Sequence, residues 1–138
     1  MYLVGTNVWL ERLLDQEQSE SVGKFLAQTP PATLLLTDFT LHSVGIALTR
    51  LEAKEAFIRF VQDVVIDGGV QIATVHPRQV QRLINVMDAF KLDFDDAYQY
   101  VAAENHHATM VSLDSDFDRT DRGRRTPAEL LEPPSSTS

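Results

Sequence analysis

Short apolar runs alternate along the chain with longer segments in which apolar residues recur every three or four positions. The apolar runs predict strands at Met1–Val4, Thr33–Thr37, Val70–Val75 and Thr109–Leu113. The second run reads TLLLT between turn-forming residues, which is typical of a strand that is buried on both faces.

The periodic segments predict helices between these strands. They run from Val8 to Leu13, over Glu20–Gln28, from Asp38 to Leu51, over Ala53–Asp67, from Pro77 to Met87 and over Asp93–His106. We expect Thr6 or Asn7 to cap the first helix and Asp38 to cap the third. Thr126 and Glu129 have the spacing of a capping box, which predicts one last helical turn.

This order of elements predicts the fold class. Strands that alternate with helices indicate an α/β fold, a three-layer α/β/α sandwich with a mostly parallel central sheet. The 138 residues favour one domain over 1–131, followed by a disordered tail over 132–138. Ligands of such sheets bind beyond the carboxyl ends of the strands, so the residues that follow each strand are the candidates for function.

Composition narrows the function classes. The chain has no cysteine, which excludes thiolate metal sites, and no apolar run near the roughly eighteen residues of a membrane span. The N-terminus lacks a basic segment, so we expect a cytoplasmic protein without a membrane partner. The net charge of −8 opposes nucleic-acid binding, unless the acids are gathered where divalent cations neutralise them.

Aspartates are concentrated around the last predicted strand. Asp114 and Asp116 follow it, while Asp93, Asp95 and Asp96 open the helix before it. Carboxylates that are brought together repel one another, so a close cluster needs a proton or a cation. Magnesium accepts one or two carboxylates together with waters and a substrate phosphate, and it can activate water for phosphoryl chemistry.

Each of these acids also has a purely structural explanation. Asp93 is a good N-cap, Asp95 in the first turn favours the helix dipole, and Asp114 and Asp116 suit a turn. We expect Asp93 and Asp95 to be structural, and Asp96, Asp114 and Asp116 to form the candidate site.

Three motifs in this order resemble a known family. They are VGTNVWLE at Val4–Glu11, LDFDDA at Leu92–Ala97 and VSLDSDF at Val111–Phe117. Together they resemble the PIN-domain family, in particular VapC-type toxin ribonucleases, from residue 1 to about residue 131. The acidic positions of the family match Asp96, Asp114 and Asp116, whereas Gly5 stands where the family normally has an aspartate.

The resemblance implies a compact α/β/α fold, Mg²⁺- or Mn²⁺-dependent cleavage of RNA, a homodimer and a cognate antitoxin protein. It implies that Asp96, Asp114 and Asp116 hold one or two metals that activate water. Thr6 and Asn7 match polar residues that support the metal site. Apolar helices at Glu20–Gln28 and Ala53–Asp67 agree with a dimer.

Two departures predict that this chain is a weak or inactive catalyst. Gly5 vacates a metal-ligand position, and Ser43 stands at the usual glutamate position. Asp38 could supply a carboxylate nearby, although capping is its expected role. Gly5 itself has three interpretations: a glycine that suits the strand-to-helix turn, an inactivating change in a copy of an active toxin, or a naturally degenerate relative.

Two further alternatives concern the charged residues and the class of function. Arg119, Arg122, Arg124 and Arg125 are either a phosphate-binding stretch beside the metal site or a solvated loop. A non-catalytic PIN-fold protein that binds a partner protein or RNA is the alternative to a nuclease. A phosphoacceptor signalling domain is disfavoured, because aspartates stand where such a domain needs a lysine after a late strand.

Overall fold

The computed structural model describes residues 1–131, so the tail predicted at 132–138 lies outside the described residues. The strands are β1 (Tyr2–Val4), β2 (Leu34–Thr37), β3 (Gln71–Ala73) and β4 (Thr109–Val111). They form one sheet in the order β3-β2-β1-β4, and all three pairings are parallel. The four predicted strands are confirmed, although each is shorter than its apolar run.

Helices fill the intervals between the strands, and a further helix follows β4. They are α1 (Thr6–Leu13), α2 (Ser19–Gln28), α3 (Asp38–Arg50), α4 (Lys54–Phe60), α5 (Val80–Phe90), α6 (Phe94–Asn105) and α7 (Pro127–Leu131). α4 continues as a π-helical segment, Val61–Ile66. Within residues 1–131, no helix is both long and apolar enough to cross a membrane.

Two hydrophobic cores lie on opposite faces of the sheet. Leu3 and Leu35 point to the face covered by α5 and α6. Their neighbours Val4, Leu34 and Leu36 point to the other face, which is covered by α1 to α4 and α7. This alternation is the period of two that a strand imposes on its side chains. The predicted three-layer α/β/α arrangement is therefore confirmed.

The start of α1 differs from the prediction. Gly5 is the N-cap and provides no side-chain cap, while Thr6 and Asn7 lie inside the first turn. The capping role predicted for Thr6 or Asn7 is wrong, because the helix begins directly after the strand. The Thr6 hydroxyl instead lies 2.9 Å from the Thr40 hydroxyl of α3, and Asn7 Oδ1 accepts a 3.4 Å hydrogen bond from the Leu113 amide.

The start of α3 differs by one residue. Thr37, the last residue of β2, is the N-cap, and its hydroxyl accepts a 2.9 Å hydrogen bond from the Thr40 amide. Asp38 is therefore not the cap that the sequence predicted but the first helical residue. Its carboxylate is free to turn sideways, where it accepts a 2.8 Å hydrogen bond from the Tyr98 hydroxyl.

Two predicted caps are confirmed. The Asp93 carboxylate accepts from the Asp96 amide at the start of α6. Thr126 and Glu129 form the reciprocal bonds of a capping box, at 3.0 and 3.2 Å.

Candidate metal centre

Three carboxylates meet at the carboxyl edge of the sheet, where β1 and β4 lie side by side. Asp96, Asp114 and Asp116 each offer an oxygen, and these oxygens lie within 4.8 Å of one another. Beside them, Gly5 and Asp96 line a cleft of about 250 Å³. The remaining residues of its wall are Thr6, Asn7, Leu10, Asp93, Asp95, Gln99, Ser112, Asp114 and Phe117. The convergence follows from the parallel order of the strands.

Local hydrogen bonds fix the turn that carries two of the acids. The Ser112 hydroxyl accepts from the Asp114 amide at 2.9 Å, and Asp114 Oδ1 accepts from the Asp116 amide at 2.9 Å. The prediction that Asp114 stabilises a turn is therefore confirmed. This turn role coexists with the placement of this carboxylate in the cleft, since only one oxygen is used by the turn.

Burial and neighbouring negative charges raise the pKa of two aspartates in the cleft. The pKa of Asp96 rises from 3.8 to about 7, first because the group is buried. The negative charges of Asp93 and Asp114, a hydrogen bond shared with Asp114 and the charge of Asp95 raise this pKa further. Burial also raises the pKa of Asp95. The cleft thus concentrates negative charge that a proton or a cation can neutralise.

The chemistry of the donor atoms suits a hard divalent cation. The three carboxylates supply oxygen ligands, which Mg²⁺ and Mn²⁺ prefer over nitrogen or sulfur. The cleft wall adds further oxygen donors from Thr6, Asn7 and Gln99. The acidic cluster could therefore hold a metal ion.

The backbone of Gly5 does not require a glycine. Its φ of −75° and ψ of 163° are extended values that any residue adopts. The interpretation that glycine suits this strand-to-helix turn therefore gains no support from the backbone conformation. Space is the restriction instead, because a Cβ atom here would lie 3.2 Å from Gln99 Oε1, 3.2 Å from Met110 Cε and 3.4 Å from the Val111 carbonyl oxygen.

Ser43, at the position where the resemblance implies a glutamate, provides no carboxylate to the cleft. Ser43 lies half-buried on α3 and is not part of the cleft wall. Asp38 is not part of it either, because its carboxylate is bound by the Tyr98 hydroxyl and the Phe39 amide. Neither residue replaces the missing acids.

Arg119 is tied to the protein on three sides. It donates to the Phe90 and Lys91 carbonyl oxygens at the end of α5, at 2.9 and 2.6 Å. Its third contact is a 3.0 Å ion pair with Asp116. Arg119 therefore orients one member of the acidic cluster.

The other three arginines also have protein partners. Arg122 donates to a backbone carbonyl just before β4, and Arg124 forms a two-bond ion pair with Asp118. Arg125 lies 3.6 Å from Glu129 and is half exposed. A contact between these arginines and RNA stays a prediction.

Gln99 is the cleft residue that the sequence analysis missed. Its side chain is 3% exposed, and its amide nitrogen donates a 3.0 Å hydrogen bond to Asp95. Asp95, which was expected to be only structural, therefore contributes to the cleft wall as well. The available signal was spacing, because residues three apart such as Asp96 and Gln99 share a helix face.

A comparison with protein-family models assigns the chain to a family. The family model described as PIN domain matches residues 2–123. The chain belongs to the PIN-domain family. Its matched segment contains β1 and the three clustered aspartates. A comparison with curated proteins found no match.

Several solved structures have the same fold. The FitAB structure bound to an IR36 DNA fragment is 21% identical, with a TM-score of 0.75 over 92% of this chain and 95% of that one. FitAcB from Neisseria gonorrhoeae is 19% identical, with a TM-score of 0.75 over 94% and 100%. Mycobacterium tuberculosis VapC20, described as a toxin that cleaves the sarcin-ricin loop, is 14% identical, with a TM-score of 0.72 over 86% and 93%.

Proposed function

We propose that this chain is a divalent-metal-dependent endoribonuclease toxin whose activity is weakened by glycine at position 5. The observation that carries the proposal is the convergence of Asp96, Asp114 and Asp116, whose oxygens lie within 4.8 Å of one another beside the cleft of a PIN domain. Structurally similar toxins, among them the sarcin-ricin loop cleaving VapC20, support RNA as the substrate.

The residues of the cleft have distinct roles in this proposal. Asp96 and Asp114 would hold Mg²⁺ or Mn²⁺, and the cation would take the place of the proton that the raised pKa of Asp96 favours. Asp116 completes the cluster and is oriented by Arg119. Thr6 and Asn7 lie in the cleft wall as supporting polar groups. A metal held by these residues would supply Lewis acidity and would activate water for hydrolysis of the phosphodiester.

The weakened activity follows from the missing carboxylate at position 5. A carboxylate at position 5 would contribute both a ligand and a negative charge, and Gly5 contributes neither. Changes in the outer shell of a metal site commonly cost 10–100-fold in affinity or activity, so a missing ligand costs at least about that much.

The missing carboxylates also favour a second candidate function. Gly5 lacks a side chain, Ser43 lies outside the cleft, and Asp38 is bound to Tyr98. A PIN-fold protein that binds a partner protein or RNA without cleaving it would tolerate these departures. The two functions differ in whether any metal-dependent cleavage is measurable.

An antitoxin and a second copy of the chain are the proposed protein partners. Similar structures include a toxin-antitoxin complex from Klebsiella pneumoniae. One group of exposed apolar side chains agrees with a homodimer. It lies on α3 and its C-cap, on α4 and on the π-helical segment rather than on α2, whose Val22 and Phe25 are buried in the core. The exposed group comprises Ile46, Leu51, Ile58 and Ile66.

We expect the unaltered chain to be a dimer by light scattering at micromolar concentration, and Ile58→Lys to shift it towards monomer. Introducing a charge removes apolar area from the interface and leaves an unpaired ion in it. Gln81→Lys, at an exposed position on α5 outside this group, is the control for added charge. A monomer at all concentrations would contradict the dimer proposal.

We expect the purified chain to cleave RNA slowly with Mg²⁺ or Mn²⁺, and Asp114→Asn to reduce this rate at least about 100-fold, since it removes a ligand and its charge. Cleavage of a labelled stem-loop RNA, with and without chelator, measures the effect. Asp88→Asn is the matched control, because Asp88 is exposed on α5 outside the cleft.

Cleavage that survives both the chelator and Asp114→Asn would overturn the proposed mechanism. RNA binding without any cleavage, in either metal, would favour the non-catalytic function instead.

A further inference from the structure

Gln99 presents an unsatisfied oxygen to the metal cleft. The side chain lies on α6 one turn after Asp96 and is 3% exposed. Its Oε1 atom is buried and has no hydrogen-bond partner among the described residues 1–131. More than nine in ten buried polar groups in proteins have a hydrogen-bond partner, so this oxygen is expected to bind a group that the protein itself does not provide.

The orientation of the amide is set by its neighbour. Asp95 Oδ1 accepts a 3.0 Å hydrogen bond from Gln99 Nε2. An ionised carboxylate only accepts hydrogen bonds, so the nitrogen of the amide faces Asp95 and the oxygen faces away from it. Oε1 thereby lies 3.2 Å from the point where a side chain at position 5 would begin. It borders the space that Gly5 leaves open.

We propose that Gln99 Oε1 is a further ligand of the cation held by Asp96, Asp114 and Asp116, and replaces the carboxylate that is absent at position 5. This inference rests on the proposed function. An amide carbonyl is a hard oxygen donor of the kind that binds Mg²⁺ and Mn²⁺. Because it is neutral, it restores a ligand without restoring the lost negative charge.

The same arrangement gives a physical reason for glycine at position 5. Its backbone conformation permits any residue, yet a Cβ would crowd Gln99 Oε1. Glycine is therefore compatible with an inward-facing Gln99, whereas a larger residue requires Gln99 to move. Asp95 acts as a positioning residue, since its carboxylate holds the amide in this orientation.

Two variants of the full chain test the inference through binding of Mn²⁺ alone, measured by electron paramagnetic resonance after treatment with chelator. Gln99→Leu removes the oxygen. The double variant Asp95→Asn/Gln99→Glu exchanges amide and carboxylate, which keeps the total charge and the hydrogen bond but places the negative charge towards Gly5. Gln81→Leu on α5 is the control, because Gln81 is exposed and contacts Asn85 rather than the cleft.

We expect Gln99→Leu to weaken Mn²⁺ binding about 10-fold and the exchange variant to tighten it about 10-fold, with Gln81→Leu unchanged. If Gln99→Leu does not fold, the exchange variant decides alone. An exchange variant that binds no tighter than the unaltered chain would overturn the inference. If Asp114→Asn abolishes binding while the Gln99 variants leave it unmoved, only this inference fails. If the unaltered chain binds no Mn²⁺, the proposed function fails with it.

Discussion

Gly5→Asp is expected to raise metal-dependent RNA cleavage at least about 10–100-fold over the chain as given. The substitution adds a fourth carboxylate beside the acidic cluster, and therefore both a ligand and a charge that concentrates the cation. The extended backbone at position 5 accepts an aspartate without strain. The new Cβ would require Gln99 Oε1 and Met110 Cε, both ends of flexible side chains, to move by a few tenths of an ångström.

A matched assay of Gly5→Asp and Gly5→Ala measures this effect. Gly5→Ala introduces the same Cβ and the same crowding but no carboxylate, so it should show no gain. Asp96→Ala in the Gly5→Asp background should abolish the gain, and overexpression of Gly5→Asp without an antitoxin should slow cell growth. If Gly5→Asp cleaves no better than Gly5→Ala across several RNAs and both metals, position 5 does not limit activity. The non-catalytic function would then be the better account.

Asp96→Asn is expected to abolish cleavage and yet to stabilise the metal-free protein at pH 8. The pKa of Asp96 is raised in the folded chain from 3.8 to about 7, chiefly by burial and then by the charges of Asp93 and Asp114. Between about pH 4 and pH 7 the folded state therefore keeps a proton that the unfolded chain has lost. Stability falls as the pH rises through this window and stays low above it.

Asparagine removes this penalty because it carries no charge at any of these pH values. At about 1.4 kcal/mol for each pH unit, the window sets an upper limit of about 4 kcal/mol. We expect a gain of about 1–3 kcal/mol at pH 8, since part of the group is screened by solvent. The gain should disappear near pH 4, where the carboxyl of the original chain is protonated in both states.

Urea unfolding at pH 4, 6 and 8 in the presence of chelator measures the difference. Saturating Mg²⁺ should reverse the order at pH 8, because only the original chain gains stability from bound metal. A variant that is equally destabilised at pH 4 and pH 8 would show that Asp96 is a packing residue without electrostatic strain.

The fold could be predicted from the sequence because its signals are local. The apolar runs fix the strands, and strands that alternate with helices leave few arrangements other than a parallel sheet. The errors lie at boundaries, where two hydroxyl or carboxylate side chains compete for one cap. Thr37 rather than Asp38 caps α3, and Asp38 is drawn to Tyr98, a contact sixty positions away in sequence that no local pattern contains.

The candidate site was predictable only in part. Asp96, Asp114 and Asp116 could be brought together from sequence, because Asp114 and Asp116 follow β4 while Asp96 opens the preceding helix, which begins at the same edge of the sheet. Gln99 could not, because its relevance depends on the space beside Gly5 and on the orientation that Asp95 imposes.

Paramagnetic broadening by Mn²⁺ in amide NMR spectra tests the central claim most directly, with the unaltered chain and Asp96→Asn compared at pH 7.5. If the three aspartates hold the cation, substoichiometric Mn²⁺ will first broaden the signals of Asp96, Asp114, Asp116 and Gly5, and the same amount will leave the corresponding signals of the variant sharp. Broadening that begins at other acidic residues, or that is identical in the two proteins, would contradict a metal centre at this edge of the sheet.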